Sequence, residues 1–213
     1  MSSSLFNSES PFWRAVGRFA DLVWLNILFL VALIPIVTGG AAFTALYDTA
    51  WRLLNESGGG VARMFWASFR SNFAQATAIW SVAGPIGIAT LAGWLFLPIE
   101  DATVIRAVFT LIYLLVFPYF FFLQARFDNG TVNTLKNSLL IPLTRLPYAA
   151  AILLITIVLT ALIISTAIYV PSILPPLLMG GFGLTAYAVT PLLMHSVKPW
   201  MDRGSADSDA NDP

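Results

Sequence analysis

Apolar stretches close to twenty residues long are what most limit the folds open to this chain. Six can be read: Phe19–Val37, Gly39–Leu54, Phe73–Leu97, Thr103–Leu123, Tyr148–Tyr169 and Leu174–Val197. A helix rises about 1.5 Å per residue, so crossing a hydrocarbon layer of about 30 Å takes roughly 20 apolar residues. The last four reach that length, the first is marginal and the second is short. Hydrophobic residues make up 58% of the chain and charged ones 10%, against roughly 45–50% and 25% in soluble domains. The expected fold is all-α: a polytopic transmembrane helical bundle of about six membrane segments. It occupies one integral membrane domain, residues 1–200, followed by an acidic tail at 201–213 that reads as disordered and cytoplasmic.

The second segment decides the topology. In "IPIVTGGAAFTALYDTAW", residues 34–51, an apolar run meets Pro35, Thr38, Gly39 and Gly40 and then resumes with Asp48 inside it. If the chain turns back there, ten of its eleven basic residues share one side and only Arg106 lies opposite. If it does not, Arg14 and Arg18 join Arg106. The positive-inside rule selects the return and places both termini in the cytoplasm. From Arg18 to Pro35 a helix rises about 25 Å, and from Gly40 to Arg52 about 18 Å. Both fall short of a crossing, so the second segment is short or re-entrant, with its turn in the outer part of the hydrocarbon layer and Gly40 supplying a positive φ at the bend. Backbone groups freed at such a turn must be covered by protein or face a wet cavity. A tilted hairpin in a locally thinned bilayer is the other reading.

Two stretches read as cytoplasmic helices lying in the membrane interface. In the first, Val61, Phe65, Phe69 and Phe73 recur every four residues, with Arg63 and Arg70 off that line. In the second, Val132, Leu135 and Leu139 form the stripe and Lys136 lies outside it. Arginine and lysine stems can snorkel from such a surface to phosphates.

Polar residues inside apolar segments carry what chemistry there is, because charge in lipid is costly. Asp48 lies four residues before Arg52, the spacing of a helical ion pair. Alternatively it joins Asn26, Thr44, Asn72 and Gln75 in a small polar pocket on the cytoplasmic half. Gln124 and Arg126 sit where a span ends and call for no special role. The lone histidine, His195, lies near the inner end of the last segment. There is no cysteine, no nucleophile–base pair and no ligand cluster with metal spacing. No enzyme activity, cofactor or nucleic-acid partner is therefore expected.

The stretches "LNILFLVALIPIVTGGAAFTALYDTAW" (25–51) and "FWASFRSNFAQATAIW" (65–80) resemble the YesL-like family of bacterial integral membrane proteins. Asn26, Pro35, Thr38, Gly40, Thr44, Tyr47, Phe69, Asn72 and Phe73 carry the likeness, and "TLKNSLL" (134–140) and "GFGLTAY" (181–187) extend it. Gly39 departs from it, since the family often has an aliphatic residue there. The resemblance implies a bacterial cytoplasmic membrane protein that accompanies carbohydrate uptake. Two functions follow as expectations. One is a non-enzymatic accessory or regulatory partner of an ABC-type sugar permease, and the other is a small solute transporter or channel acting as a homo-oligomer.

Overall fold

The structure, a computed structural model, describes residues 11–57, 59–96, 102–127, 130–173 and 180–210. Among these residues there are seven α-helices and no strand. They are α1 (Pro11–Leu33), α2 (Gly39–Leu54), α3 (Val61–Phe96), α4 (Thr103–Arg126), α5 (Thr131–Thr144), α6 (Leu146–Tyr169) and α7 (Gly181–Ala210), with short 3₁₀ turns at Ile36–Thr38 and Pro171–Ile173. The final helix carries the chain into the acidic stretch, and residues 211–213 of that stretch lie outside the described residues.

Four helices are long and apolar enough to cross a membrane: α1, α3, α4 and α6. Six crossings are not seen as such. At sixteen residues, α2 rises about 24 Å. The start of the sixth segment, at 174–179, lies outside the described residues.

α2 is the centre of the bundle. It packs against α1, α3, α4 and α7, and eleven of its sixteen residues are buried. Ala41, Ala42, Ala45 and Ala50 leave no exposed surface at all. Small side chains such as these let helix backbones approach closely where lipid supplies no hydrophobic drive between helices. Larger rings close the layer around them. The Phe43 ring lies 4.9 Å from Phe29, 4.9 Å from Phe117 and 5.4 Å from Phe121, so one α2 side chain joins α1 and α4. Aromatic pairs in such offset and edge arrangements add to simple burial.

One expected element is absent. Residues 61–73 do not form a separate interfacial helix; they are the first third of α3, which runs unbroken for 36 residues. The start of its apolar stripe faces protein, with Val61 and Phe65 in the core beside α1 and α2 residues and Phe69 packed against it, while Phe73 is exposed. The second stretch does form a helix of its own, α5. There Thr134, Ser138 and Ile141 are buried, while Val132, Leu139 and Leu143 are exposed. Its apolar outer face suits an interface.

Hydrogen bonds set the register. Arg106 donates to the Gly93 carbonyl (3.0 Å), Tyr113 to the Ala83 carbonyl (3.2 Å) and Gln124 to the Gln75 side-chain oxygen (2.6 Å), so α3 and α4 run antiparallel along the whole of α4. The α1–α2 hairpin reaches only partway up this pair. Trp80, its contact at the turn, is followed by sixteen further residues of α3, roughly 24 Å.

Candidate functional site

Much of the backbone of the α1–α2 turn is hydrogen-bonded. The Thr38 hydroxyl lies within bonding distance of the Ala32 and Pro35 carbonyls (2.5 and 2.6 Å), and the Thr38 amide also donates to Pro35 (2.8 Å). The Ile36 carbonyl accepts from the Gly39 amide and from the Trp80 indole, at 2.7 Å. Outward, Ile34, Ile36 and Val37 are exposed. With the Ala32, Pro35 and Ile36 carbonyls engaged and aliphatic side chains outward, the turn is suited to contact with hydrocarbon.

The glycines serve packing, not bending. Gly39 is right-handed helical, with φ −53°. Gly59 and Gly60, between α2 and α3, are the glycines with positive φ among the described residues. A methyl group on Gly39 would sit 2.7 Å from the Trp80 ring, and one on Gly40 would strike the Ala76 carbonyl oxygen and lie 2.7 Å from the Trp80 Cβ. Gly40 is therefore where α2 touches the backbone of α3.

The residues expected to form one polar pocket are divided among separate contacts. Asp48 is 3% exposed and held by two cations. Arg52 Nε donates to one carboxylate oxygen at 2.9 Å and Arg126 donates to the other at 3.4 Å. The Arg126 guanidinium also lies 3.5 Å above the centre of the Trp51 ring, a cation–π contact. Beside this triad, Gln124 donates to Gln75 and, at 3.5 Å, to the Asn72 oxygen, and Asn72 donates to the Ser68 carbonyl at 3.0 Å. Asn72 and Gln75 thus do come together, on Gln124 and not on Asp48. Thr44 bonds its own helix, at the Gly40 carbonyl (2.9 Å). Asn26 is fully buried elsewhere and accepts from the Gly183 amide at 3.0 Å. It satisfies one of the free N–H groups that open α7.

The two residues missing from the expected group were Gln124 and Arg126. Their signal was available in their position: both are polar, and both lie at the end of a long apolar run in which a buried face was still due. Their partners lie 49 to 78 residues away in sequence, which spacing rules cannot reach.

Beside and beyond the turn lies a cavity of about 530 Å³, walled by α2, α3, α4, α6 and α7. Trp80, Ile88, Phe117 and Ile163 give it an apolar wall, and Tyr47, Tyr113, Thr156 and Thr160 bring hydroxyls to it.

These features define a class: a helical protein built for a membrane, with a short buried helix, α2, at its heart. Within it, residues 22–94, from the middle of α1 to near the end of α3, match the family model described as "Protein of unknown function, DUF624". No curated protein and no solved structure matches the chain.

Proposed function

We propose that the chain is a YesL-like, non-enzymatic multi-pass protein of the bacterial cytoplasmic membrane that binds an ABC-type carbohydrate permease and regulates or helps assemble it. The observation that carries this reading is how the buried polar groups are used. Asp48 is neutralised by Arg52 and Arg126, and Gln124 is tied to Gln75. Both sets join helices to one another and are not arrayed along an open path. Outward, α3, α4 and α6 offer wide apolar faces, including Leu91, Val104, Phe109 and Leu162. A protein with structural charges inside and apolar faces outside acts by contact with lipid or another membrane protein. The resemblance supplies the class of partner. Purification in mild detergent followed by mass spectrometry is expected to recover a permease subunit in stoichiometric amount. Recovery of a homo-oligomer that moves solute in liposomes would instead favour the transporter reading.

In this reading both termini are cytoplasmic and α1–α2 is a re-entrant hairpin. The sequence has no cysteine, so single cysteines report sidedness cleanly. Ser57→Cys and Asn137→Cys are expected to react with an impermeant maleimide only after the membrane is opened, and Asp101→Cys in intact cells. Labelling of Ser57→Cys in intact cells would overturn the return at the turn.

A further inference from the structure

We propose that the cavity beside the α1–α2 turn binds the hydrocarbon chain of a membrane amphiphile, with the Tyr47 and Thr160 hydroxyls facing its carbonyl or carboxyl group. This goes beyond the contact function above and does not depend on it. The wall is apolar apart from a few hydroxyls and the Trp80 indole. Most of these are already used: Tyr113 donates to Ala83, Thr156 to Ile152, Thr185 to Gly181 and the Trp80 indole to Ile36. Tyr47 and Thr160 are different, since neither hydroxyl has a hydrogen-bond partner among the described residues. Tyr47 is 6% exposed as a residue but its hydroxyl is not sealed off, and Thr160 is an exposed residue, so both hydroxyls are open to an occupant. A hydroxyl set in an apolar wall gains from an occupant that offers it an acceptor.

The chemistry of the wall selects the occupant. A sugar carries many hydroxyls, and two free groups cannot satisfy them when it leaves water. An ion finds no charged side chain in the wall. The cavity holds about 530 Å³, within the range of about 300–1,000 Å³ usual for small-molecule pockets. A long hydrocarbon chain with one hydrogen-bonding end fits both the volume and the pair of free hydroxyls. The bilayer provides such molecules as phospholipid acyl chains or as free fatty acids.

The test is photolabelling of the full chain in liposomes. One preparation contains a palmitic acid with a diazirine in its chain, and the other a phosphatidylcholine with the same tagged chain. Labelled peptides are then located by mass spectrometry. Label is expected to concentrate on the wall residues of α3 and α6 in at least one preparation, and the preparation that labels identifies the source of the chain. Tyr47→Phe is expected to lower that label about 2- to 10-fold, the worth of one hydrogen bond. Thr160→Phe, which fills the cavity from α6, is expected to remove it. Ile88→Trp blocks from α3 at a residue 62% exposed, and it serves if Thr160→Phe does not elute as a single folded species. Label no denser on the wall than on Val104 and Phe109, or unchanged by the blocking variants, overturns the proposal.

Discussion

Gly40→Val is expected to abolish folded, detergent-soluble protein, while Gly93→Val leaves the yield near that of the parent. The difference lies in what the new side chain meets. At Gly40 even a methyl group strikes the Ala76 carbonyl oxygen, part of the α3 backbone, and lies 2.7 Å from the Trp80 Cβ. Neither atom can swing away, so α2 and α3 must separate. Separation opens the aromatic layer around Phe43 and withdraws the Trp80 indole from the Ile36 carbonyl. Overpacking commonly costs about 1–3 kcal/mol, and a clash with fixed backbone belongs at or above the top of that range. At Gly93 the nearest atom is the Arg106 Cδ, at 4.0 Å and on a flexible chain. The check is fluorescence-detected size-exclusion chromatography at matched expression. Equal monodisperse peaks for the two variants would show that the α2–α3 contact at Gly40 is not needed.

The second large effect is expected at Asp48. Exchanging the pair, Asp48→Arg with Arg52→Asp, is expected to give little folded protein, although a simple surface pair would tolerate the swap. Position 48 is buried, and Arg126 already faces it at 3.4 Å. The exchange therefore sets two guanidinium groups against each other and moves the carboxylate to a half-exposed site. Asp48→Ala is expected to cost about 3–5 kcal/mol, the usual result of stranding one member of a buried pair. Asp48→Asn is expected to be milder than Asp48→Ala, because its single amide oxygen can still accept from one of the two arginines. Asp48→Ala combined with Arg126→Leu is expected to recover much of the loss, since an apolar pair can replace a buried ionic one. Thermal unfolding in detergent, followed by the loss of the monodisperse peak, ranks the four. A fully stable exchange variant would reduce the triad to the Asp48–Arg52 pair alone.

Local patterns carried much of this fold. The apolar runs marked α1, α4 and α6, the i,i+4 spacing marked the Asp48–Arg52 bond, and Pro35 marked the break between α1 and α2. What spacing could not decide was what each face meets. The stripe Val61–Phe65–Phe69–Phe73 is the same whether a helix lies on lipid or on protein; α3 uses all but Phe73 of it on protein and runs on unbroken into the long apolar run. Glycine at a turn invites a conformational explanation, but Gly40 is there because Ala76 is close. Asn26 has the composition of a pocket residue, yet its partner is the Gly183 amide, 157 residues on. In each case the missing information was a long-range neighbour.

The ion triad also has a schedule. Asp48 is synthesised 78 residues ahead of Arg126, a gap of roughly 4–16 s at about 5–20 residues per second. For that interval α2 carries a carboxylate with only Arg52 beside it, and the ring of Trp51 has no guanidinium above it. A sixteen-residue helix in that condition gains little by entering hydrocarbon alone. Its slot exists only once α3 and α4 stand side by side. The contacts of α2 are therefore completed only after the end of α4 has been made, although α2 itself is among the first helices to be synthesised.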